Sequence, residues 1–241
     1  GLEQSLQSAY GLTVCYLMGK MPSTMIYPNK QALIAATITP SDTVLDIGFL
    51  GQGKTPADSH WLHRTIKKIA KETYGLDLQT YETNLPQDEG RYFKQSAEHF
   101  TLPVTFDVIF AGDLIEHLSN PGLFLDACKK HLKPNGRLIL TTPNTFNLFN
   151  IAEKLTKDEP TVNSDHTCYF NKKTINVLLR KNGWTTTSFD TVYSLELSHQ
   201  ESLKKKFLNI LYRGLSRLTE KYIETLVITA VPEVNSDSSL R

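Results

Sequence analysis

Residues 43–56 read TVLDIGFLGQGKTP. Thr43 to Gly48 is a short apolar run holding one acid, Asp46, and closed by a glycine. An apolar run of that length, bounded by a turn signal, reads as a buried strand. A glycine-rich loop follows it. Ala57 to Lys71 then brings Trp61, Leu62, Ile66 and Ile69 to helical spacing. Further along, Tyr74–Leu78 (YGLDL), Arg91–Gln95 and Phe106–Gly112 (FDVIFAG) read as strands. Pro121 to Leu132 reads as a helix opened by Asn120-Pro121. Lys133-Pro134-Asn135-Gly136 is a turn, and Arg137–Thr142 (RLILTT) a fifth strand. Short apolar strands separated by helices specify a parallel, doubly wound sheet. Ligands of such sheets bind beyond the carboxyl ends of the strands. Functional residues are therefore expected just after Gly48, Leu78, Gln95, Gly112 and Thr142.

The flanks extend this pattern. Residues 1–40 read as a helical cap rich in Tyr and Met, including Met25, Ile26 and Tyr27, with a short apolar helix through Leu33 to Ile38. After Thr142 a polar stretch runs to Tyr169, and a helix, Lys172–Lys181, is stopped by Asn182-Gly183. Thr185–Tyr193 and Ile223–Val231 read as strands, and Leu203–Lys221 as a basic amphipathic helix. The layout is a cap over 1–40, a main domain over 41–234 with insertions around 144–170 and 195–221, and a loose tail over 235–241.

Composition narrows the class. The chain has 241 residues, 40% hydrophobic and 21% charged, which is ordinary for a globular domain. A net charge of +1 gives no overall field toward nucleic acid, and no RNA-binding module or stacking platform is recognisable. Cys15, Cys128 and Cys168 lack metal-knuckle spacing and read as reduced thiols of a cytoplasmic protein. No apolar run approaches the ~18 residues of a membrane span. The basic helix over 203–221 is suited to peripheral contact with a membrane or to covering a sheet. No pattern specifies an oligomeric state.

The glycine loop admits two readings. Gly48–Thr55 (GFLGQGKT) fits G-x-x-x-x-G-K-T, the phosphate loop of nucleotide triphosphatases. That loop needs a helix to start at the Lys-Thr pair, so that free N–H groups hold phosphate. Pro56 removes one such donor, and Asp46 inside the strand has no use in a phosphate cradle. In the second reading Gly48 lets the backbone approach a ligand, and the Asp46 carboxylate suits an ammonium group.

The order of the segments favours the second reading. VLDIG (44–48), YGLDL (74–78), SAEHF (96–100), FDVIFAGDLIEHLSNP (106–121), HLKPNGRLILTTPN (131–144) and DHTCYFNKKTINVLLRKNGW (165–184) occur in this order. Together they resemble the motifs of class I S-adenosylmethionine-dependent methyltransferases. The resemblance implies a Rossmann-like, doubly wound, mostly parallel seven-stranded sheet with extra N-terminal and C-terminal helices. It implies S-adenosylmethionine held by Asp46, Gly48, Phe49, Gly51, Asp77, Leu78, Ser96, Ala97, Gly112 and Asp113. Asp77 would take the ribose hydroxyls, and Ser96 and Ala97 the adenine. Two departures stand out. Leu50 occupies the place of the second loop glycine, with Gly51 and Gly53 making a longer loop, and Ser96 stands where the family usually has Asp.

A sulfonium methyl is already activated, so transfer needs mainly positioning. An unactivated hydroxyl also needs help losing its proton. His117 is suited to that as a base, and the distant His166 is the second catalytic candidate. Asp113, Glu116, His117 and His166 further resemble the metal site of small-RNA terminal 2′-O-methyltransferases and, more loosely, of ubiquinone-pathway O-methyltransferases. A metal-free site is the expectation here. His60, His63, His99 and His131 show no partner pattern and read as surface or helix residues. The acceptor expected is a sugar, glycan or small hydroxylated metabolite. A triphosphatase using Lys54 and Thr55, and a protein that binds the cofactor without turnover, are the alternatives.

Overall fold

A computed structural model describes residues 24–51, 58, 61–81, 88–155, 157–160, 163–193 and 222–233. Eight strands form one sheet: β1 (Ile26–Tyr27), β2 (Thr43–Ile47), β3 (Glu72–Asp77), β4 (Tyr92–Lys94), β5 (Phe106–Gly112), β6 (Leu132–Pro143), β7 (Trp184–Val192) and β8 (Thr225–Pro232). Their order is β1-β7-β8-β6-β5-β2-β3-β4. β8 runs antiparallel to β6 and β7, and the remaining pairings are parallel. β2 pairs with β3 on one side and β5 on the other, so the chain winds outward in both directions from that pair. Beyond the carboxyl ends of β2 and β5 the covering segments diverge and leave a crevice.

The central strands are apolar on both faces, as parallel strands covered on both sides must be. Leu45, Ile47, Ile109, Ala111, Leu138 and Leu140 face one layer, which also holds Phe124, Cys128, Ile175, Leu179 and Trp184. Val44, Val108, Phe110 and Ile139 face the other, against Leu33, Ile34 and Ile66. The covering helices are α1 (Lys30–Thr37), α2 (Leu62–Ile69), α3 (Pro121–His131) and α5 (Lys172–Lys181); α4 (Leu148–Lys154) lies in the segment after β6. Asn29 caps α1 by accepting from the Ala32 N–H at 2.8 Å. Asn171 and Thr174 form a reciprocal capping box at α5, and Gly183 at φ +68° ends that helix.

Four elements differ from the sequence reading. Ile26–Tyr27 is a strand rather than part of a helical cap, pairing in parallel with Thr191 and Val192. It makes the sheet eight-stranded rather than seven-stranded. The helix after β2 starts at Leu62, not Ala57. The Lys133–Gly136 turn lies inside the span of β6, where pairing jumps from Phe106↔Leu132 to Val108↔Arg137 and Asn135 takes φ +70°. The extra residues bulge out of the ladder. The stretch after Thr142, read only as polar, holds a short helix, α4, which Asn147 caps through the Asn150 N–H. Residues 1–23, the proposed basic helix at 203–221 and the tail at 235–241 lie outside the described residues. Among the described residues no helix is long and apolar enough to cross a membrane.

Candidate functional site

A cleft of 730 Å³ opens beyond β2, β3, β5 and β6. That is the size of a pocket for a ligand of a few tens of atoms. Asp46, Gly48, Phe49, Gly51, Asp77, Leu78, Ser96, Ala97, Gly112, Asp113, Glu116, His117 and His166 all line it. The sheet order explains the convergence, because each lies at or just after the carboxyl end of a strand or on a segment folded against one.

The loop after β2 is a tight turn. Gly48 takes φ +75° and Gly51 φ +46°, and the Gly51 N–H donates to the Gly48 carbonyl at 3.0 Å. A Cβ at Gly48 would stand 3.2 Å from Leu114 Cδ1, so the position is tight as well as left-handed. Phe49 turns its ring away into a cluster with Trp61, Tyr81 and Tyr92. Trp61 Nε1 donates to the Phe49 carbonyl at 2.7 Å. An aromatic anchor thus holds a loop that lacks its second glycine. Lys54 and Thr55, on which the phosphate-loop reading rests, lie outside the described residues.

Asp77, at the end of β3, accepts from the Leu50 N–H at 3.1 Å and the Gln79 N–H at 3.0 Å. One carboxylate oxygen goes to each neighbour, and each retains a lone pair for a ligand hydroxyl. Ser96 Oγ accepts from the Glu98 N–H at 3.2 Å, Ala97 is buried, and Leu78 lies exposed at the rim.

A second group gathers beyond β5. Asp113 takes φ +49°, which Asp tolerates better than most residues. Its N–H donates to the Thr141 carbonyl at 2.9 Å, its carboxylate accepts from Thr141 Oγ1 at 2.8 Å, and Lys30 forms an ion pair with it. Glu116 is 1% exposed. Its Oε2 accepts from Thr142 Oγ1 at 2.9 Å, while its Oε1 has no hydrogen-bond partner among the described residues. Burial, reinforced by the Asp113 charge, pushes its carboxyl up to about 7. The Glu116 carbonyl accepts from the Thr167 and Cys168 N–H groups at 2.8 and 3.2 Å. These bonds bring His166 to His117, with ring centroids 4.6 Å apart and nearly perpendicular. Burial and the neighbouring His117 hold His166 below its ordinary value. Donor atoms of Glu116, His117 and His166 all lie within 4.8 Å of one another. Three such donors, one an unsatisfied buried carboxylate oxygen, fit a divalent cation.

Two functional candidates escaped the sequence reading. Lys30 lines the cleft from α1 and supplies a cation to it. His63 lies in a helix, as one of its two readings had it, but it is fully buried and has a partner: its Nδ1 is 2.9 Å from Asp46 Oδ2. His131 is buried too, but in a structural role: its Nε2 accepts from the Leu102 N–H at 3.0 Å and its Nδ1 faces the Ala127 carbonyl at 2.8 Å. His99 is exposed, as expected, and His60 lies outside the described residues.

Known proteins resemble the chain in both sequence and fold. The mitochondrial ubiquinone biosynthesis O-methyltransferase of Schizosaccharomyces pombe is 32% identical over 102 residues, 41% of this chain and 37% of that protein. The ubiquinone biosynthesis O-methyltransferase of Colwellia psychrerythraea is 30% identical over 119 residues, 44% of this chain and 48% of that one. The chain thus spans less than half the length of these curated relatives. A SAM-dependent methyltransferase from Archaeoglobus fulgidus superposes with a TM-score of 0.54 at 17% identity, over 83% of this chain and 90% of its own. One from Clostridium acetobutylicum gives 0.52 at 12% identity, over 85% and 89%. These two likenesses show the fold. The family model described as a methyltransferase domain matches residues 28–188, from just before α1 into β7, and by that match the chain belongs to the methyltransferase-domain family.

Proposed function

We propose that the chain binds S-adenosylmethionine in the cleft and transfers its methyl group to a hydroxyl of a small acceptor. One observation carries the reading: at the sheet's switch point, a left-handed glycine turn, the Asp77 carboxylate and the Glu116, His117 and His166 group line the same cleft. Asp77 takes the ribose hydroxyls with the lone pairs left by Leu50 and Gln79. Asp46 takes the ammonium of the methionine part and Lys30 its carboxylate. Ser96 and Ala97 border the adenine, and Gly112 and Asp113 lie beside the reacting end. Attack by the acceptor oxygen forms the new C–O bond as the C–S bond breaks, and its electron pair stays on sulfur. The hydroxyl proton passes to His117, with His166 beside it.

The names of the curated relatives support an O-methyl acceptor of the ubiquinone-precursor kind and give no support to a sugar or glycan, which is set aside. A second reading of the acceptor side has its own observation, the orphaned Glu116 Oε1 within reach of two imidazoles. In that reading Glu116, His117 and His166 hold a divalent cation, which would lower the pKa of an acceptor hydroxyl.

Calorimetric titration with S-adenosylmethionine, S-adenosylhomocysteine and ATP with Mg²⁺ tests the core of the proposal. Micromolar binding of the first two, lost in Asp77→Ala, is the expected result. Binding of ATP alone would overturn it in favour of the phosphate loop. Dialysis against EDTA, followed by Mg²⁺ or Mn²⁺ addition, separates the acceptor readings. A metal-dependent rise in Tm that His166→Ala abolishes supports the cation, and an unchanged Tm supports His117 acting alone.

A further inference from the structure

The strand face beside the glycine turn carries a line of polar groups of which methyl transfer uses only Asp46. Asp46 of β2, Gly75 of β3 and Tyr92 of β4 stand in register as neighbours across the sheet. α2 lays His63 against this row. Its Nδ1 is 2.9 Å from Asp46 Oδ2, and its Nε2 is 3.2 Å from the Tyr92 hydroxyl. Lys67, one turn further along α2, donates to that hydroxyl at 3.4 Å and pairs with Asp88 at 2.6 Å.

With Asp46 ionised and the imidazole neutral, the directions of these bonds follow. The carboxylate can only accept, so it takes the Nδ1 proton of His63 and leaves Nε2 to accept from the Tyr92 hydroxyl. Lys67 can only donate, so it donates to the Tyr92 oxygen. Every donor in the line points toward the cleft carboxylate, and the line ends outside at a half-buried ammonium balanced by Asp88.

A buried ion-dipole line of this kind is a poor way to stabilise a core, because apolar residues of similar volume do as well or better. His63 is fully buried, yet the acid it holds lines the cleft. Asp46 has one oxygen bound to His63 and the other left for a ligand.

We propose that His63 is a positioning residue for the cofactor, fixing the Asp46 carboxylate at the cleft wall and taking its own orientation from Tyr92 and, behind it, Lys67. The inference rests on the reading that the methionine ammonium meets Asp46. Two effects follow. The carboxylate is held in one rotamer before the ligand arrives, so less freedom is lost on binding. It is also kept able to carry charge. Burial raises the Asp46 pKa, the His63 hydrogen bond opposes that rise, and Asp77 from β3 adds to it. An Asp46 that takes up a proton cannot pair with an ammonium, so cofactor affinity falls on the acid side, and removal of His63 moves that limb to higher pH.

The test is calorimetric titration of the full chain with S-adenosylhomocysteine across the weakly acidic to weakly basic range. Wild type is compared with His63→Leu, His63→Asn and Tyr92→Phe. His63→Leu is expected to weaken binding about tenfold near neutrality, the effect of losing one charge-assisted hydrogen bond. Its acid limb should move to higher pH. His63→Asn keeps an N–H donor beside Asp46 and should restore most of both. Tyr92→Phe should show a smaller loss with the same direction of pH movement. A folded His63→Leu with wild-type affinity and pH profile overturns the proposal. So does an equal loss in the Leu and Asn variants with no movement of the limb, which marks a purely structural role. If His63→Leu fails to fold, Tyr92→Phe decides: an unmoved acid limb overturns the proposal. Failure of the wild type to bind S-adenosylhomocysteine refutes the underlying cofactor reading, and is told apart by appearing before any substitution.

Discussion

Gly75→Ala adds one methyl group at a crowded point against the Phe49 and Tyr92 rings. A Cβ built at Gly75 would stand 2.8 Å from Phe49 Cδ1, Phe49 Cε1 and Tyr92 Cδ1. Carbon atoms prefer separations of about 3.5–4.0 Å, so both rings must retreat by roughly 0.7 Å or more. Neither ring has room. Phe49 stacks on Tyr92 with centroids 5.2 Å apart and meets Tyr81 edge-on at 5.5 Å, and its carbonyl is held by Trp61. Overpacking of this kind costs about 1–3 kcal/mol. Replacing a strand glycine returns about 0.5–1 kcal/mol of backbone entropy. The net loss is then roughly 0–2.5 kcal/mol, or up to several degrees in Tm for a chain of this size. Because Phe49 belongs to the glycine turn, its displacement also moves Gly48 and Gly51. Cofactor affinity should therefore fall by more than the stability loss alone accounts for. Thermal unfolding with and without S-adenosylhomocysteine measures both effects. A variant with raised Tm and an undiminished ligand-induced shift would refute the argument that Gly75 exists to admit the Phe49 ring.

Other outcomes follow from the same geometry. Glu116→Gln removes a buried carboxyl whose pKa stands at about 7 against an ordinary 4.5, a difference worth about 3 kcal/mol. A raised folded-state value means that the contribution of Glu116 to wild-type stability is fully present below pH 4.5 and is lost as pH rises through 7. The variant should therefore gain in Tm over wild type at pH 8 more than at pH 5 in metal-free buffer, and an equal difference at both would contradict it. Phe110→Ala empties a fully buried ring site on β5 and should cost about 3–5 kcal/mol in denaturant unfolding. Cys128 is completely buried, and burial pushes its thiol well above the ordinary range. It should resist alkylation in the folded protein and react only on unfolding, as peptide mass analysis would show.

The alternation of strand and helix was readable along the chain because hydrophobic periodicity is local. Phe106–Gly112 and Lys172–Lys181 stand at the positions read from sequence. Strand-end residues such as Gly48 and Asp77 were readable for a related reason: a parallel sheet turns chain order into a row of carboxyl ends facing one crevice. A two-residue edge strand carries no period, so Ile26–Tyr27 could not be told from a cap. Its pairing with Thr191 and Val192 exists only once β7 is in the sheet. Lys30 meets Asp113 across 83 positions, and no spacing rule connects α1 to the end of β5. His166 reaches His117 through two backbone hydrogen bonds to the Glu116 carbonyl, groups that every residue carries. His63 sat in a helix among Leu62, Ile66 and Lys67 with nothing local to mark it. Sequence periodicity determined the central strands, the helices that cover them and which strand ends bear polar groups, but not β1 or α4. Tertiary packing alone decided which of those groups meet, because a buried hydrogen bond depends on distances in space and leaves no period in the chain.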